Sequence, residues 1–140
     1  MKTITVPALL AVAMALAFAA APISASERLR AGQWEITTTR PKLETTTAKR
    51  CVDAEEAASV NGDEKAFREY IEKHGGQACK IIESRLNGPS ASYGMSCGEM
   101  TMRVTATYHG DEFEGDRSTK SGAGPERLSH FKAKRLGSCP

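Results

Sequence analysis

The sequence has little of what catalytic sites are usually built from. Three histidines and one tryptophan occur in 140 residues, and aromatic residues make up 6% of the chain. It has no Gly-x-Ser-x-Gly, no Walker loop and no His-Glu-x-x-His. The signatures of a nucleophile elbow, a phosphate cradle and a helical zinc protease are therefore missing. It also has no Cys-x-x-Cys and no His-x-x-x-His spacing, which argues against zinc held by the cysteines with His74, His109 or His130. Charge of one sign is not in excess, with 19 Lys and Arg against 17 Asp and Glu. That balance supplies no electrostatic reason to expect a nucleic acid or an anionic membrane as partner. After residue 21 no further apolar run is long enough to span a bilayer.

What is present begins at the amino terminus. Lys2 is followed by an uncharged run over residues 6–21, then by Pro22, Ile23, Ser24 and Ala25, and charge returns at Glu27 and Arg28. Basic start, apolar stretch and small-residue cleavage site are in the order of a secretory signal peptide. The run is shorter than the ~20 residues of a spanning helix, it contains Pro7, and no lipobox cysteine stands nearby. Cleavage after Ala25 is expected, with residues 1–25 as signal peptide and residues 26–140 as a single exported domain with no membrane span. Cys51, Cys79, Cys97 and Cys139 all fall in the exported part. An even number of cysteines in an oxidising compartment reads as disulfides.

Residues 33–39 alternate, with Trp34 and Ile36 on one face, and residues 45–52 form a second Thr-rich run, which together suggest a hairpin. Asp53 and Glu56 have the spacing of a capping box ahead of a short helix to about Ser59, interrupted by Asn61-Gly62. Asp63 caps a second helix, whose apolar stripe is Phe67, Tyr70 and Ile71. Glu64 with Arg68, and Glu69 with Lys73, are spaced as i,i+4 ion pairs. His74 and Gly75-Gly76 close that helix.

From Cys79 onward the signals are strands. Met100, Met102, Val104, Ala106 and Tyr108 alternate with polar residues, as in a strand with one buried face. Strands at short intervals favour an antiparallel meander. A turn centred on Gly88 makes facing residues sum to 176, so that Ile81 faces Met95 and Cys79 faces Cys97. The apolar residues then share one face. That register favours Cys79–Cys97, leaving Cys51–Cys139. The main rival pairs Cys51 with Cys79 and Cys97 with Cys139. The expected fold is α+β: a curved antiparallel β-sheet meander of about six or seven strands with one main helix over residues 63–74, disulfide-bonded.

Gly32-Gln33-Trp34-Glu35, Cys51 before a helical region, the middle pair Cys79 and Cys97, residues 108–115 (Tyr-His-Gly-Asp-Glu-Phe-Glu-Gly) and the closing residues 134–139 form an ordered set. Together they resemble a family of small exported bacterial proteins known only as domain of unknown function 3617. The resemblance spans essentially the whole mature chain. It implies a Gram-negative periplasmic location and a β-rich fold, and it implies no activity and no site residues. The segment after Trp34 often carries Met and Pro in that family; here it is Thr-rich, with only Pro41.

Several short patterns have bland readings. Ser129-x-x-Lys132 and Lys120-Ser121-Gly122 imitate elements of penicillin-recognising enzymes, but their order is reversed and Ser-Asp-Asn is missing. Glu112, Glu114 and Asp116 read as a solvated row that neutralises Arg127, Lys132, Lys134 and Arg135 on the next strand. Met95, Met100 and Met102 read as core, not as a copper site, and Trp34 reads as a core anchor. No catalytic, cofactor-binding or metal-binding residue is assigned, and no cofactor is expected. The leading functional reading is a non-catalytic exported domain that binds a small apolar ligand or an envelope protein on its sheet. The alternatives are a small envelope hydrolase using His109 or His130 with a carboxylate, and a structural or stress-related periplasmic protein without ligand.

Overall fold

The computed structural model describes residues 27–140, so the expected signal peptide over residues 1–25 lies outside the described residues. The described chain runs β1 (Gly32–Thr39), β2 (Thr46–Val52), α1 (Ala54–Asn61), α2 (Glu64–His74), β3 (Cys79–Asn87), β4 (Ser90–Cys97), β5 (Met100–Tyr108), β6 (Glu112–Ser121) and β7 (Arg127–Gly137). All seven strands form one antiparallel sheet in the order β2-β1-β7-β6-β5-β4-β3. The α+β class and the meander over β3–β7 agree with the sequence reading. The meander continues through β1, because the first strand closes against the last. No described helix is long and apolar enough to cross a membrane.

One face of the sheet is apolar. Val104 and Ala106 on β5, Phe113 on β6, and Phe131 and Ala133 on β7 are buried at period 2. The opposite face carries threonines and charges and is open to water. Thr37 and Thr47 pair there at 3.2 Å, as do Thr39 and Thr45 at 3.3 Å. Met100 departs from the expected buried methionine face: it lies at the start of β5 and is 40% exposed. Met95 is buried and Met102 partly so.

Trp34 anchors the sheet. It is fully buried, its Nε1 donates to the Arg30 carbonyl at 2.9 Å, and its ring meets Phe113 at 5.1 Å. Phe113 in turn meets Tyr108 at 5.3 Å and Phe131 at 6.1 Å. Gly115 makes this cluster possible. A Cβ there would lie 1.9 Å from the Thr105 carbonyl oxygen and 2.6 Å from Cζ of Phe131.

The helices cap as their sequences suggest: Asp53 Oδ1 accepts from the Glu56 amide and Asp63 Oδ1 from the Ala66 amide, each at 2.8 Å. Two expectations are corrected. The Glu56 carboxylate does not reach back to complete a capping box, because Arg50 on β2 takes both its oxygens. The α2 ion pairs are Lys65–Glu69 and Arg68–Glu72, while Lys73 reaches Glu55 on α1. Arg68 has carboxylates at both i−4 and i+4, and packing of α2 on α1 draws Lys73 across to its neighbour.

The β3–β4 hairpin holds a further correction. Cys79 faces Cys97 and Ile81 faces Met95, which sum to 176, but from Glu83↔Gly94 to Asn87↔Ser90 the sum is 177. The turn is therefore the two-residue Gly88-Pro89, not one centred on Gly88. A bulge between Ile81 and Glu83 absorbs the extra residue and returns the apolar side chains to the inner face. The Cα atoms of Cys79 and Cys97 are 4.1 Å apart, and their sulfurs are bonded. Cys51 at the end of β2 is bonded to Cys139 across 88 residues, with the Cα atoms 5.5 Å apart.

Candidate functional site

The apolar face does not close on itself. One cross-strand row runs Ala91, Ala106, Gly115, Phe131 through β4 to β7, so three small residues stand side by side. Side chains this short leave space between the sheet and the helices. The result is a cavity of about 620 Å³, walled by Phe67 and Ile71 of α2 above and by Met95, Met102, Val104 and Phe131 of the sheet below. Its size falls within the ~300–1,000 Å³ of ordinary small-molecule sites. Ile36 of β1 and Cys79 of β3 both line it. In a flat sheet those two strands, five steps apart, would be separated by roughly 24 Å at the usual strand spacing. The sheet is therefore curved around the cavity.

A few polar groups stand in this apolar wall. Arg50 and Glu56 form a two-pronged ion pair, one contact being 2.8 Å from Nη1 to Oε2. The hydrogen bonds that Arg50 donates to Glu56 hold its guanidinium above the ordinary arginine value. Tyr70, Tyr93 and Tyr108 also line the cavity, and none of their hydroxyls has a hydrogen-bond partner among the described residues. Burial pushes the phenol of Tyr108 up to about 12, with the Glu56 carboxylate adding to the shift. Burial raises Tyr93 as well, against the pull of the Arg117 charge. All three remain neutral O–H donors at physiological pH. Tyr93 is positioned by its edge-on packing against Phe67, 6.2 Å between ring centres.

Arg117 completes the set. On β6 the inward positions are Phe113, Gly115 and Arg117, and Arg117 shares a row with Val104 and Tyr93. Its side chain lines the cavity yet remains open to solvent. Its guanidinium has no hydrogen bond or ion pair among the described residues; its backbone is paired in the sheet, and its carbonyl also accepts from Ser129 Oγ at 3.5 Å.

The residues singled out from the sequence are distributed differently. Cys79 and Cys97 line the cavity. Cys51 and Cys139 join β2 to the carboxyl-terminal tail. Met95, Met100 and Met102 also border the cavity. Among the described residues no three side chains of His, Cys, Asp or Glu gather as a metal-binding group. Glu112, Glu114 and Asp116 lie on the solvated face opposite Lys134, Lys132 and His130. His130 Nδ1 is 3.0 Å from Asp116 Oδ1 and Lys132 Nζ is 3.8 Å from Glu114 Oε2. The His130–Asp116 pair thus faces away from the cavity, and His109 sits exposed on the β5–β6 turn. The sequence reading missed Arg50, Glu56, Tyr93 and Arg117 as a group. Period 2 from Phe113 does place Arg117 inward, and that was the available signal.

The family described as Protein of unknown function (DUF3617) matches residues 29–139, most of the chain, and the chain belongs to it. No curated protein and no solved structure matches.

Proposed function

We propose that this member of the family is an exported, periplasmic, non-catalytic binding protein whose ligand is a small, mainly apolar molecule held between the sheet and the helices. The observation that carries this reading is the cavity itself: about 620 Å³, walled by aliphatic, aromatic and methionine side chains, with three phenol hydroxyls that have no partner among the described residues. Apolar walls supply the driving force through surface removed from water. The sparse hydroxyls and the Arg117 guanidinium supply orientation. A concave, walled volume suits a small molecule better than the broad, flat patch typical of protein partners.

Export is supported by the order of residues 1–25 and by the two disulfides, which belong to an oxidising compartment. Protein recovered from a periplasmic extract should begin at Ser26. Amino-terminal sequencing that found Met1 on membrane-bound material would overturn the export reading.

Binding is tested on the same preparation. A neutral naphthylamine dye should brighten on addition of the protein and should saturate at one site. Met102→Trp, which fills the cavity from its floor, should abolish the signal while the chain stays folded. Absence of dye binding to the wild-type protein, together with native mass spectra that show no adduct, would overturn the ligand reading.

A further inference from the structure

The cavity has a charge preference that its apolar lining hides. Two arginines, one carboxylate and one imidazole line it: Arg50, Arg117, Glu56 and His74, the last stacked on Tyr70 with ring centres 4.3 Å apart at the end of α2. Arg50 and Glu56 consume each other through two contacts, so together they present no net charge to a ligand. Arg135 is also engaged, its Nε donating to the Ala31 carbonyl at 3.0 Å. That leaves Arg117, whose guanidinium has no partner among the described residues and which stands at the solvent-open side of the cavity. A guanidinium with no protein partner at the edge of an apolar wall offers charge-assisted hydrogen bonds to a ligand anion.

The hydroxyls point the same way. Neutral phenols offer an O–H to an anionic oxygen, and Tyr93 lies in the same cross-strand row as Arg117, with only Val104 between them. The two side chains are long and start about two strand spacings apart, roughly 10 Å, so both can reach one group placed above Val104, and the Arg117 charge acts on the Tyr93 phenol. On the other side of that point the walls are Met95, Met102, Phe67 and Ile71, which offer no charge.

We infer that the cavity receives a single-chain anionic amphiphile: its hydrocarbon tail lies among Phe67, Ile71, Met95 and Met102, and its head oxygens lie between Arg117 and the Tyr93 hydroxyl. This rests on the cavity being a ligand site, and it adds the chemical class of the ligand and the residue that selects it. Arg117 is the selecting residue, acting by charge at the mouth. Tyr93 orients the head.

Displacement of the neutral dye by four twelve-carbon probes, each kept below its micelle-forming concentration, tests the inference. The probes are dodecanoate, dodecyl phosphate, dodecanol and dodecyltrimethylammonium. A charge-assisted contact at a partly open site should favour the anions over dodecanol by about tenfold, with the cation weakest. The ranking of dodecanoate and dodecyl phosphate distinguishes a fatty acid from a phosphate-headed lipid. Arg117→Gln should bring both anions to the affinity of dodecanol measured on the same variant, erasing the tenfold preference; Arg117→Lys should restore most of the preference. Because Arg117 is solvent-open, the melting temperature should be unchanged in both variants, which separates selection from folding. Equal binding of dodecanol and dodecanoate by the wild-type protein would overturn the inference and leave the apolar site standing. An equal loss of all four probes in Arg117→Gln would likewise overturn it. Failure of the dye and every probe to bind would overturn both.

Discussion

Asn61 and Leu29 are joined by two hydrogen bonds. The Asn61 Nδ2 donates to the Leu29 carbonyl at 2.7 Å, and its Oδ1 accepts from the Leu29 amide at 2.9 Å. The same oxygen accepts from the Arg28 amide at 2.6 Å. A side-chain amide thus does the work of a neighbouring strand for the segment that precedes β1, and Leu29, only 2% exposed, is held in the core as a result. Arg28 reinforces the latch by donating from Nη1 to the Val60 carbonyl at 2.9 Å.

Replacing Asn61 with Ala should therefore release the segment around Leu29. Three hydrogen bonds are lost and three backbone groups, the Arg28 and Leu29 amides and the Leu29 carbonyl, are left without their partner, so the expected destabilisation is about 2–3 kcal/mol. Asn61→Asp keeps the acceptor and loses the donor, and should fall between the two. Urea unfolding of the three proteins checks this, and an unchanged midpoint for Asn61→Ala would show that the latch contributes nothing.

Gly115→Ala should be poorly tolerated. The new methyl would meet the Thr105 carbonyl and the Phe131 ring, both far inside van der Waals contact. Overpacking of this kind costs about 1–3 kcal/mol. A calorimetric melting temperature equal to that of the parent would contradict the close approach of Phe131 to the β6 backbone.

Tyr108 predicts an alkaline effect. Its phenol is pushed up to about 12 by burial, against an ordinary value near 10. Between those values the unfolded chain gives up a proton that the folded chain keeps. Stability is then fully present below about pH 10 and falls as pH rises to about 12, by at most roughly 1.4 kcal/mol per pH unit from this group. Tyr108→Phe should flatten that decline in unfolding free energies measured across the window. A parent-like slope in the variant would remove Tyr108 as the cause.

The two cystine bridges should differ in what they stabilise. Opening Cys51–Cys139, which spans 88 residues, should cost about 4.6 kcal/mol in the chain-entropy picture, against about 3 for Cys79–Cys97, which spans 18. Peptide mapping without reduction should yield fragments joining Cys51 to Cys139 and Cys79 to Cys97. A fragment joining Cys51 to Cys79 would contradict both.

Much of this architecture was legible because local signals agreed with one another. Period 2 over residues 100–108 marked the inner face, Asp53 and Asp63 marked helix starts, and the apolar stripe Phe67–Ile71 marked the buried side of α2. The hairpin from Cys79 was read with the right facing pairs at its open end and the wrong turn, since the bulge after Ile81 compensates for a two-residue loop. No local pattern announces a bulge. The cavity was not legible for a related reason. It arises from Ala91, Ala106 and Gly115 falling side by side, a coincidence across strands that only the register reveals. Asn61 read as a helix breaker because its partners are 32 residues away. Glu56 carried a conventional capping role in the sequence, and its pairing with Arg50 across β2 and α1 replaced it.

The neighbouring positions of β1 and β7 have a consequence for the order of events as the chain matures. β3 to β7 can assemble from sequence-adjacent partners, each hairpin closing on the one before it, and such local pairings form fast. β1 waits longest, since its partner on that side is the last strand to be made. The amino-terminal hairpin is thus the late arrival, and its docking both completes the wall beside Ile36 and brings Cys51 within reach of Cys139. In oxidative refolding, the species trapped first should carry Cys79–Cys97 alone, with the cavity open along the side where β1 has yet to bind. The long-range bridge then acts as a seal on an already formed vessel.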